Sequence, residues 1–132
     1  MATNLKKPAR VLGMHWIQRN SQVVLAELIR AVSTAGTTMT IAKELCEQMG
    51  VESIEAHDFP GYSLNRILSV MINEAITTVY EGISSALDVD KAYVALTGQE
   101  LGPLALADQI GLDEVLKNLT KQQRSYGYLF LL

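Results

Sequence analysis

The sequence has one cysteine, Cys46, so no disulfide can close within the chain, and the framework of a small cross-linked secreted module is excluded. Surplus positive charge is also lacking: 11 Lys and Arg stand against 14 Asp and Glu, a net charge of −3, which argues against nucleic acid as a partner. Nowhere do enough apolar residues run together to span a membrane. The apolar stretch behind Lys6, Lys7 and Arg10, Val11-Leu12-Gly13-Met14, is too brief for the core of a secretory leader, so a cytoplasmic, reducing compartment is expected. Internal repeats and low-complexity tracts are missing as well. What is present is 132 residues, 48% of them apolar, enough to build the core of one domain.

The apolar pattern predicts mostly helices. Arg10 to Trp16 reads as a short strand ending near His15, which places that residue at a strand-to-helix junction. Ser21 suits an N-cap, and Val24, Leu25, Leu28, Ile29 and Val32 follow with helical spacing, so Glu27 is expected on a helix beside its apolar stripe. Thr37 or Thr38 opens a second helix with Ile41, Leu45, Cys46 and Met49 on its apolar face and Gly50 to stop it; these two helices are expected to pair as a hairpin. A short strand over 51–56 and a turn at Asp58-Phe59-Pro60-Gly61 precede the longest helix, 63–81, which is apolar on more than one side. Helices over 88–97, 103–110 with Pro103 at its first position, and 113–124 complete the chain before the apolar run Tyr126 to Leu132.

Several segments, taken in order, resemble the C-terminal domain of the L-3-hydroxyacyl-CoA dehydrogenase family, the helical type also found in 6-phosphogluconate dehydrogenase. They are Gly13-Met14-His15-Trp16, Leu25-Ala26-Glu27-Leu28-Ile29, Asp58-Phe59-Pro60-Gly61-Tyr62, Asn65-Arg66, Asn73-Glu74-Ala75, Glu81-Gly82, Val89-Asp90, Gly102-Pro103 and Ala107 to Asp113. A lone histidine at a strand end is ordinarily a surface or core residue, and the collinear matches are what single out His15. The resemblance implies that His15 is a general base, that Glu27 accepts a hydrogen bond from its other ring nitrogen, and that Asn65 donates to a substrate oxygen. An imidazole suits that work because it titrates near neutrality. His57 beside Asp58 reads as a solvated turn residue, Cys46 as a small buried apolar side chain, and Asn118-Leu119-Thr120 as a sequon only in a secreted protein.

Three departures from the family's pattern qualify the resemblance. After His15 the family carries Asn-Pro and further apolar residues, whereas this chain reads Ile17-Gln18-Arg19-Asn20-Ser21-Gln22, a more polar and less rigid loop. The family's closing helix and basic, Gly-rich segment do not follow Lys121. The nine glycines contain no Gly-x-Gly-x-x-Gly. The expectation is therefore an all-α fold preceded by one short strand: 1–16 as lead-in and residual strand, 17–124 as a helical substrate and dimerisation domain, and 125–132 as an apolar tail. By resemblance it binds a 3-hydroxyacyl-CoA, forms a homodimer, and depends on NAD held by a domain or subunit not present in this chain. The alternative is a non-catalytic oligomerisation or regulatory module that kept the fold without the chemistry.

Overall fold

Residues 23 to 29 read Val-Val-Leu-Ala-Glu-Leu-Ile, a short apolar run whose spacing fits one face of a helix or a strand buried on both faces. The computed structural model, which describes residues 5–19 and 21–127, makes it a strand. β1 (Gly13–Arg19) and β2 (Gln22–Arg30) form an antiparallel hairpin; α1 (Gly36–Gln48) then crosses over to β3 (Glu52–His57), which lies parallel to β2. The strand order is β1-β2-β3. The helix expected from Ser21, and with it the helical hairpin, is thus corrected: Ala26, Glu27, Leu28 and Ile29 are all buried because both faces of β2 are covered, and β-branched Val23 and Val24 favour extended backbone. Ser21 instead occupies the hairpin turn with φ +64, the positive φ that tight hairpin connections require. Gln18 and Arg19, expected in a loose loop, are paired strand residues opposite Val23 and Gln22. An irregularity in the register between Ile17 and Gln18 leaves Val24 without an opposite number, a β-bulge in β2.

The chain divides into two compact units between Tyr62 and Ser63, so the boundary expected after Trp16 falls inside β1. In the first unit, α1 covers one face of the sheet and buries Met39, Ala42 and Cys46 against Ala26 and Leu28, with Leu12, Met14 and Val51 around them. Of the apolar face expected for α1, only Cys46 points inward; Ile41, Leu45 and Met49 form a stripe that is 65%, 47% and 55% exposed. Arg30 on β2 and Lys43 on α1 both pair with Glu55 on β3, tying the three elements together on that side.

The second unit is helical, as expected: α2 (Leu64–Tyr80), α3 (Ala86–Thr97), α4 (Pro103–Ile110) and α5 (Leu112–Tyr126). Ile72 of α2, Ala107 of α4, and Val115 and Leu119 of α5 form its core. The Val89-Asp90 and Gly102-Pro103 segments have a structural explanation. The Asp90 carboxylate accepts the backbone N–H groups of Leu104 at 2.8 Å and Ala105 at 2.9 Å, capping α4 from a neighbouring helix. A Cβ at Gly102 would come within 2.3 Å of Asp90, so glycine is required there. The all-α assignment is therefore corrected to helices preceded by a three-stranded sheet with a helix on one face. The tail expected over 125–132 is described only to Gly127, where α5 ends with φ +74; residues 128–132 lie outside the described residues.

Candidate active site

His15 lies in mid-strand on β1, not at a junction to a helix, and the register sets it directly opposite Glu27 on β2. Side chains of such a cross-strand pair leave the same face of the sheet. Here that face is the one opposite α1, because Met14 and Leu28, the next pair along, point into the α1 core. His15 Nδ1 and Glu27 Oε2 are 2.7 Å apart. A carboxylate can only accept, so Nδ1 carries the hydrogen and Nε2 is left as the basic nitrogen. The Glu27 side chain is fully buried, whereas that of His15 is 32% exposed, so the imidazole is both anchored and reachable. A buried carboxylate demands a partner, because stripping water from a charge costs several kcal/mol. The chemistry this arrangement can perform is proton acceptance at a nitrogen of fixed tautomer, with a fixed negative charge behind the imidazolium that forms.

Asn65 belongs to the second unit, in the first turn of α2, partly buried. Its backbone carbonyl accepts a bond from Nε2 of Gln122 on α5 at 3.4 Å, and the next residue, Arg66, places its guanidinium over the Tyr126 ring at 4.2 Å. The last turns of α5 thereby hold the turn that presents Asn65. His57 is exposed, as expected, but it is the last residue of β3, paired with Arg30, and not a turn residue, while Cys46 is a buried free cysteine, as expected. Among the described residues no cluster of His, Cys, Asp and Glu could hold a metal ion, and no helix is long and apolar enough to cross a membrane.

One residue near His15 was not singled out by the sequence. The Tyr62 ring centroid lies 5.9 Å from that of the imidazole, the planes inclined by 47°. Its backbone has φ +46, following Gly61 at φ +85. The signal in the sequence is Pro60-Gly61: Pro at the second and Gly at the third position of a turn, closed by the 2.9 Å bond from Tyr62 N–H to Phe59 O, directs the chain sharply after β3.

Comparisons with known proteins follow this division. Residues 61–128 match the family model of the 3-hydroxyacyl-CoA dehydrogenase C-terminal domain, and residues 1–59 match that of the 3-hydroxyacyl-CoA dehydrogenase NAD binding domain. The expectation that the nucleotide-binding domain is missing is therefore corrected: β1, β2, α1 and β3 fall in the stretch that matches it, and so do His15 and Glu27. A probable 3-hydroxybutyryl-CoA dehydrogenase of Bacillus subtilis is 41% identical over 116 residues, which are 88% of this chain and 40% of that protein. The 3-hydroxybutyryl-CoA dehydrogenase of Bradyrhizobium diazoefficiens is 39% identical over the same shares. The crystal structure of (S)-3-hydroxybutyryl-CoA dehydrogenase from Ralstonia eutropha superposes with a TM-score of 0.91 at 35% identity, covering 96% of this chain and 44% of that one. The chain thus spans less than half the length of these relatives.

Proposed function

Because the chain belongs to the 3-hydroxyacyl-CoA dehydrogenase family, we propose that it carries the proton-transfer site and the acyl-CoA-binding helices of an NAD-dependent L-3-hydroxyacyl-CoA dehydrogenase. The reaction is oxidation of a 3-hydroxyacyl-CoA to the 3-oxoacyl-CoA, in fatty-acid metabolism. The observation that carries this reading is the hydrogen-bonded pair of His15 and buried Glu27. His15 Nε2 takes the proton of the substrate's 3-hydroxyl as the C3–O bond becomes a carbonyl. Glu27 holds the ring in the tautomer that can do so and stabilises the imidazolium. Asn65 donates from its carboxamide to a substrate oxygen, which orients the substrate and rejects analogues that leave the donor unpaired. NAD, when bound, supplies the acceptor for the hydride that leaves C3. The names of the relatives favour a short acyl chain, and we assign 3-hydroxybutyryl-CoA as the substrate.

Only part of the nucleotide site is in this chain. The β2-α1-β3 crossover is a unit of the type from which dinucleotide-binding sheets are built. The glycine turn that cradles the pyrophosphate is not among these 132 residues. Full activity in this reading requires the remainder of the nucleotide-binding domain, either from a separate subunit or from a longer gene. Two features support its docking here. The outer edge of β1 pairs with no other strand among the described residues. On α1 the stripe of Ile41, Leu45 and Met49 is exposed, an apolar surface that more of the same domain would cover. Homodimerisation through the helical unit and a cytoplasmic location complete the proposal.

The test mixes the purified chain with the portion of the Bacillus subtilis relative that lies outside the matched stretch, then follows NADH formation from (S)-3-hydroxybutyryl-CoA. The mixture is expected to turn over substrate when neither part does alone. An inactive mixture, where the relative's own two parts recombine actively, would refute the catalytic reading in favour of a non-catalytic module.

A further inference from the structure

We propose that Tyr62 is a positioning residue for the His15 imidazole, an inference that rests on the reading of His15 as the proton acceptor. Three observations converge on it. The Tyr62 and His15 rings lie at 5.9 Å and 47°, within the distance range at which tilted ring pairs attract. Bulky residues rarely adopt positive φ, yet Tyr62 does so at +46, so its surroundings hold it in a conformation that costs energy. The turn that puts it there is built for the purpose, with Pro60 and Gly61 (φ +85) at its centre and the Tyr62 N–H closing it on Phe59 O at 2.9 Å.

The physical consequence concerns both orientation and charge. Glu27 fixes one edge of the imidazole through Nδ1, but a single hydrogen bond leaves the ring free to swing about it. The Tyr62 ring stands against the imidazole as a second support and restricts that swing. When the imidazole gains a proton it becomes a cation whose ring centre is 5.9 Å from that of an aromatic ring, within the range at which a π-system can attract it. The ring supplies both effects, so the hydroxyl is dispensable: phenylalanine should serve, and leucine, smaller and without a ring to supply either effect, should not.

Nuclear magnetic resonance of the chain as it stands tests this without requiring turnover. The expected results are cross-relaxation between ring protons of Tyr62 and His15 and slow solvent exchange of the His15 Nδ1 hydrogen. Tyr62→Leu should accelerate that exchange and shift the His15 ring signals, while Tyr62→Phe should restore both. Absence of ring-to-ring cross-relaxation in the wild-type chain overturns the proposal even if the Leu variant fails to fold. In the enzyme complemented as above, Tyr62→Leu should lower kcat by about three- to thirtyfold with little change in KM, and Tyr62→Phe should recover it. If His15→Gln abolishes turnover while Tyr62→Leu leaves kcat unchanged, the role of Tyr62 is refuted and the pair stands; if His15→Gln has no effect, the pair itself is refuted.

Discussion

Glu27→Gln keeps the size of a fully buried side chain and removes its negative charge. The 2.7 Å separation from His15 Nδ1 is at the short end for a charge-assisted bond, and the variant replaces it by a neutral one. Charged hydrogen bonds contribute roughly 1.5–3 kcal/mol and neutral ones about 0.5–1.5. The difference, up to about 2.5 kcal/mol, corresponds to at most about a 70-fold loss in kcat for a step in which the imidazole becomes cationic. His15→Gln removes the proton acceptor itself and should cost about 100- to 10,000-fold. An amide that donated to Nδ1 would select the tautomer with no free basic nitrogen, raising the loss for Glu27→Gln toward, but not beyond, that for His15→Gln. The assay is steady-state NADH formation from (S)-3-hydroxybutyryl-CoA by the complemented enzyme, with circular dichroism to show that each variant folds. Wild-type turnover in His15→Gln, or a larger loss in Glu27→Gln than in His15→Gln, would show that the proton goes elsewhere.

Other expectations follow from particular contacts. Asn65→Ala should act mainly on kcat if its donated bond strengthens as charge moves onto the substrate oxygen, and a loss confined to KM would mean that it only holds the ground state. Asp90→Ala removes the acceptor of two backbone N–H groups at the start of α4, so urea denaturation should show a loss of about 1–2 kcal/mol; no change would contradict the capping role. Hydrogen bonds from Arg30 and then Lys43 hold the Glu55 carboxyl below its usual range, so the stability it adds is complete above the unfolded carboxyl pKa and is lost as pH falls through the lowered folded value. Glu55→Gln should therefore be less stable than wild type near neutrality, by no more than about 1 kcal/mol for a pair this open to solvent, and the gap should close in acid; a gap that widened would be contrary. Ile67, Tyr80, Ile83 and Leu96 are exposed on the helical unit, and light scattering should show a dimer where a stable monomer would refute self-association through it.

The helical half was legible in the sequence because its signals are local. Gly82 follows the end of α2 with φ +72 and Pro103 opens α4, each acting within a few residues of the boundary it sets, as Gly50 does with φ +68 after α1 in the first unit. The candidate site residues are legible as an order of residue types, from which the resemblance singles out His15, Glu27 and Asn65. What could not be read was the geometry that joins the first two. Glu27 was expected on a helix, since Val24, Leu25, Leu28 and Ile29 satisfy a helical period as well as a doubly buried strand does. A strand is completed by bonds to partners remote in sequence, so only the pairing of β2 with β1 on one side and β3 on the other settled the matter. The same non-local register sets His15 opposite Glu27, while the turn after β3 brings in Tyr62, 47 positions from the imidazole it stands against. Residue identity thus determined the available chemistry, whereas tertiary structure decided which groups meet, because strand pairing is set by long-range contacts that no local pattern encodes.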